Sequence, residues 1–176
     1  LLLPHAYEGQ GPDHSSGRMG RFLDSAAEVN MRIANCTTSA QYFHLLRRQA
    51  GVLEIDPLPL IVMTPKSLLR LPAASSTMAE LTDGGFNAVL DDAKLTDKAA
   101  VKRIALCSGK VFYDLEASRE ESNDGRVAIV RLEQFYLFPA CRIRELIAWY
   151  LHATQLFWTQ EAPENMGGWT FVENGL

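Results

Sequence analysis

The chain has 176 residues, of which 47% are apolar and 22% charged, with a net charge of −4. This is the composition of a globular protein with one ordinary domain or two small ones. It excludes a basic nucleic-acid surface, and no apolar run approaches the roughly 20 residues of a membrane helix.

The sequence opens on an apolar run, LLL, read as the end of a buried strand joined partway along. LLLPH lacks the basic start of a signal peptide. A polar loop follows, with two histidines, two acids, a tyrosine and three glycines. Ser15 and Ser16 then signal a helix with Met19, Phe22, Leu23 and Ala26 at helical spacing. Strand, glycine-rich loop and helix is how α/β folds present reactive groups at a strand's carboxyl end. His5 and His14 on that loop form a candidate acid/base site, because histidine trades protons near neutral pH.

Residues 31–36 read as a short strand. Thr37, Thr38 and Ser39 are candidate caps for the next helix, whose apolar side is Ala40, Phe43, Leu45 and Leu46. Arg47 and Arg48 suit its carboxyl end and Gly51 stops it. PLPLIVMTP, residues 57–65, is a buried strand. This alternation predicts a parallel sheet with crossovers. Lys66, Ser67 and Arg70 follow the strand end as a candidate anion site, with an interdomain salt-bridge cluster as the alternative.

Residues 71–100 are small, polar and turn-rich, and read as a linker with one extended piece at 86–90. A second α/β unit occupies 101–176. It has a strand at 102–107, an SGK turn capped by Ser108, a helix over 111–122, a buried strand at 127–132, a helix over 142–152 and a strand at 156–161. Its last stretch opens an element that it does not close. Glu133, Gln134, Gln160 and Glu161 fall at the sheet's carboxyl edge, where use at an interface is the simplest reading. Cys36, Cys107 and Cys141 are widely spaced without a CxxC, which argues against a disulfide framework or zinc site and for a reducing compartment.

Six blocks carry a family resemblance: LPHAYEGQGPDHSSGRMGRFL, TSAQYFHLLRRQ, MTPKSLLR, LCSGKVFYDL, VAIVRLEQFYLFP and QEAPENMGGW. In this order they resemble the C-terminal part of the thiamine-diphosphate-dependent E1 component of the 2-oxoglutarate dehydrogenase complex. Ala6 stands where that family usually has glycine.

The resemblance implies an α/β fold: the end of a pyrimidine-binding, transketolase-like parallel-sheet domain (1–70), a linker (71–100), and a transketolase-type C-terminal domain with a mixed sheet (101–176). It implies decarboxylation of 2-oxoglutarate on thiamine diphosphate with Mg²⁺, and transfer of the succinyl group to a lipoyl-bearing E2. It also implies a homodimer, in the cytoplasm of a bacterium or the mitochondrial matrix of a eukaryote. His5 is the implied catalytic histidine. Tyr7, Glu8, Gln10 and His14 would brace the loop or stand behind the site. Lys66, Ser67 and Arg70 lie where some members bind acetyl-CoA as an activator. The family's GDG…N diphosphate motif is missing from these residues, so this chain alone is expected to lack a complete active site. Two alternatives remain: a non-catalytic regulatory or assembly module that binds CoA or holds a dimer, and an E1 specific for 2-oxoadipate.

Overall fold

The structure, a computed structural model, describes residues 1–4 and 17–176. Two four-stranded sheets organise it. The first has the order β1 (Leu2–Pro4), β3 (Leu60–Thr64), β2 (Arg32–Ala34), β7 (Gln134–Tyr136). Its first three strands are parallel, as the alternating strand and helix pattern requires. Helices α1 (Met19–Asp24) and α2 (Ser39–Gly51) make the crossovers. Strand β3 is the apolar stretch LIVMT, buried along nearly its whole length, as suits a parallel sheet covered on both faces.

The second sheet has the order β4 (Val89–Leu90), β6 (Val127–Leu132), β5 (Arg103–Cys107), β8 (Gln155–Thr159). β6, β5 and β8 are parallel, and β4 closes one edge antiparallel to β6. Helices α4 (Val111–Ser122) and α5 (Ala140–Ile147) connect the parallel strands, and α6 (Trp169–Gly175) ends the chain.

The expected linker is built rather than loose. A 3-10 turn over Lys66–Arg70 precedes it, and it holds 3-10 turns over Pro72–Ala74 and Lys98–Ala100, strand β4, and the short helix α3 (Met78–Thr82). Thr77 and Glu80 form a reciprocal capping box on α3.

Strand β7 belongs by sequence to the second unit yet pairs antiparallel with β2 of the first sheet, through Ile33–Tyr136 and Ala34–Gln134. The two sheets are therefore joined through the β6–β7 run, with Glu133 at the crossing. The core is shared as well. Met19, Ile33 and Met63 from the first unit and Ile104, Leu132 and Phe135 from the second lie in one buried cluster.

Local chemistry departs from the sequence reading in three places. α2 buries Ala40, Gln41, His44 and Leu45, whereas Phe43 and Leu46 are exposed. The polar pair is tolerated inside because Gln41 exchanges hydrogen bonds with the Asn87 backbone (2.6 and 3.2 Å) and His44 Nε2 meets the Glu80 carbonyl (2.8 Å). Ser108 does not cap α4; its hydroxyl turns to the Asn35 carbonyl instead. α5 ends at Ile147, where the backbone goes over to tighter turns (Trp149 N–H to the Leu146 carbonyl, Tyr150 N–H to the Ile147 carbonyl), and the Tyr150 hydroxyl donates to Asp91.

Candidate functional site

The carboxyl ends of both sheets converge. Asn35 follows β2, Ser108 follows β5, Glu133 follows β6 and Gln160 follows β8. The sheets touch at this rim: Gly109 adopts a left-handed φ of +69° with its Cα against the Asn35 side chain, and the Asn35 backbone N–H donates to the Glu133 carbonyl at 2.9 Å.

Glu133 is fully buried. Its carboxylate accepts the Thr37 backbone N–H (2.8 Å) and the Thr37 hydroxyl (2.5 Å). Thr37 Oγ1 in turn accepts from Arg131 (3.0 Å), and the Thr37 carbonyl accepts the Tyr113 hydroxyl (2.6 Å). The Arg131 guanidinium also lies over the Phe112 ring, 4.3 Å from its centroid. Burial pushes the Glu133 carboxyl up; Arg131 and the Thr37 bonds counter only part of that.

Beside this cluster, the carboxyl ends of β2 and β3, with Leu2 of β1, frame a groove of about 400 Å³. Its walls include Leu2, Thr37, Thr38, Thr64 and Lys66. Thr38 also caps α2, accepting the Gln41 N–H at 3.3 Å. Of the three candidate anion-binding residues, only Lys66 is among the groove's lining; Ser67 stands beside it on the same 3-10 turn, and Arg70 is exposed at that turn's end. His5, Tyr7, Glu8, Gln10 and His14 lie outside the described residues.

Thiolate chemistry finds no support at the rim. Burial pushes the Cys36 thiol well above its ordinary value and holds Cys107 at about 12. Both are buried and free. Among the described residues, no group of three or more His, Cys, Asp or Glu side chains is placed to hold a metal ion. Nor is any helix among them long and apolar enough to cross a membrane.

Gln160 and Glu161 serve local structure. Gln160 Oε1 accepts from Trp158 Nε1 and the Gly168 N–H, and its amide donates to the Ala162 and Pro163 carbonyls. Glu161 pairs with Lys110 at 3.4 Å. The cluster around Glu133 was hidden from sequence reading because its partners Thr37, Asn35 and Tyr113 are roughly 20 to 100 positions away and meet only through the β6–β7 crossover.

Two consecutive α/β units whose sheets meet at their carboxyl ends define a transketolase-like arrangement, and the comparisons agree. Residues 1–72 match the transketolase pyrimidine-binding domain, and residues 75–176 match the 2-oxoglutarate dehydrogenase C-terminal family. The chain therefore belongs to the 2-oxoglutarate dehydrogenase E1 family. Similar proteins include 2-oxoglutarate dehydrogenase E1 components from Shouchella clausii (49% identical over 98% of this chain) and Geobacillus sp. (49% over 100%). A third, from Cupriavidus necator, is 46% identical over 99% of it. The chain spans 18–19% of the length of these relatives.

Proposed function

We propose that this chain forms part of an E1 subunit that decarboxylates 2-oxoglutarate on thiamine diphosphate, with Mg²⁺, and passes the succinyl group to a lipoyl-bearing E2 partner. The observation that carries this reading is the order of the two family matches, pyrimidine-binding then C-terminal, over sheets whose carboxyl ends share one rim. Bound thiamine diphosphate would supply the electron sink for loss of CO₂. His5 would act as the acid/base group at the strand end, protonating or stabilising the developing oxyanion. Tyr7, Glu8, Gln10 and His14 would brace its loop.

The Lys66, Ser67 and Arg70 turn would bind an anionic effector, acetyl-CoA, from the groove side; the position of Lys66 in the groove wall supports this. Residues 1–70 and 101–176 would be the two domain bodies, joined by 71–100, in a homodimeric enzyme of the bacterial cytoplasm. The diphosphate and Mg²⁺ ligands would come from parts of the enzyme other than the described residues.

The test is turnover of the complete protein on a panel of 2-oxo acids. The expected result is decarboxylation that requires thiamine diphosphate and favours 2-oxoglutarate. Preference for 2-oxoadipate would reassign the substrate. No turnover on any 2-oxo acid, with retained CoA binding, would replace the enzyme with a regulatory module.

A further inference from the structure

We propose that Glu133 is a positioning residue: a carboxylate from the second unit that holds residues 35–38 of the first and so sets the wall of the groove at the carboxyl ends of β2 and β3. The inference rests on the reading of that groove as the substrate and cofactor side of the enzyme.

The backbone of Glu133 already performs the structural work of its position. Its N–H donates to the Ala88 carbonyl (2.9 Å) and its carbonyl accepts from Asn35 (2.9 Å), which ties β6 to β4 and to the end of β2. The side chain adds nothing to that ladder. It reaches instead to the start of α2 and the turn before it: it takes both the amide and the hydroxyl of Thr37, and the Gln41 side chain bonds to it as well. Burying a carboxylate is costly, and a well-packed apolar residue of similar volume is often no less stabilising. What the carboxylate supplies is direction.

Thr37 lies between Cys36 and Thr38, and all three line the groove together with Lys66. The Thr37 N–H is too early to be an intrahelical donor of α2, so Glu133 is its partner. Tyr113 secures the same residue from α4 through the Thr37 carbonyl, and Arg131 completes the hydroxyl's bonds. The wall of a groove framed by the first sheet is thus held by three side chains of the second unit.

The experiment compares Glu133→Gln, Thr37→Val and Thr37→Ser in the complete protein. Valine keeps the shape of threonine without its hydroxyl; serine keeps the hydroxyl and loses the methyl. A positioning role therefore predicts that Thr37→Ser stays close to wild type, whereas Thr37→Val and Glu133→Gln lower kcat/KM for 2-oxoglutarate about tenfold or more. Rates are measured where circular dichroism shows each variant folded. The same two variants should exchange the amides of residues 35–38 about tenfold faster or more.

The reverse pattern, a normal valine variant and an impaired serine variant, assigns Thr37 to packing and overturns the proposal, as do three wild-type-like variants. Should Glu133→Gln not fold, the threonine pair decides. Should wild-type protein turn over no 2-oxo acid, the enzyme reading falls. Amide exchange then judges Glu133 by itself: unchanged exchange at 35–38 in Thr37→Val overturns the positioning role, and faster exchange sustains it.

Discussion

Arg119 of α4 and Asp92 of the segment after β4 form a buried ion pair, their side chains only 10% and 4% exposed. Asp92 also accepts the Ile129 N–H (2.8 Å) and the Lys94 N–H (3.1 Å), and Arg119 donates to the Val127 carbonyl (3.2 Å). The pair thus fastens α4 and the post-β4 segment to the central strand β6. Removing one partner leaves the other charge buried and uncompensated, so Asp92→Ala should cost about 3–5 kcal/mol. Chemical denaturation measures this; a loss below about 1 kcal/mol would mean that water reaches Arg119.

Gly109 offers a sharper test of the seam. Its φ of +69° disfavours any side chain, and an added Cβ would meet Asn35 Nδ2 at 2.5 Å. Gly109→Ala should therefore destabilise by about 1–3 kcal/mol. Gly125→Ala, where a Cβ meets nothing within 4 Å, should cost far less in the same melting experiment.

Asp91 predicts a pH dependence. Burial pushes its carboxyl up, but hydrogen bonds from Lys98 and Tyr150 outweigh this and hold it below the ordinary value. A carboxylate depressed in the folded state contributes stability above its unfolded pKa, about 3.9, and loses it as pH falls through the folded value. Asp91→Asn should accordingly flatten the decline of urea midpoints below about pH 4. An unaltered acid slope would show that other carboxylates govern it.

His5→Ala in the complete enzyme should lower kcat by about 10²-fold or more, the usual worth of a placed acid/base group. The fold should survive, because loop residues at strand ends carry function more than packing. His14→Ala should cost less rate and more thermal stability. Full turnover in His5→Ala with a dead His14→Ala would exchange the two roles.

For the effector turn, Lys66→Ala combined with Arg70→Ala should abolish acetyl-CoA activation and leave turnover without effector intact. An undiminished response in steady-state kinetics would return both residues to a salt-bridge role.

Sequence reading succeeded where one local signal sufficed. The apolar run VAIVRL marked β6 at residues 127–132, and Thr38 was among the candidate caps of α2. It failed where a distant partner decided the outcome. β7 is three residues, QFY, directly after β6; nothing in its periodicity separates it from β6 or sends it to another sheet. Only the free edge of β2 does that. The inward turn of α2 was hidden for the same reason: Gln41 and His44 look like surface residues until the Asn87 and Glu80 backbones supply their partners. At the site, the strand-end position of Lys66 was readable from TPK, whereas the Glu133–Thr37 bond depended on the crossover.

The β6–β7 crossover bears on recombination. A chimera that takes residues 75–176 from a relative and keeps residues 1–74 imports an edge strand for the recipient's own first sheet. Its compatibility is then decided far from the splice point, where Tyr136 meets Ile33 and Glu133 meets Thr37. Exchanges that keep those pairings matched should assemble, and a clean junction in the 72–75 stretch gives no protection to those that break them.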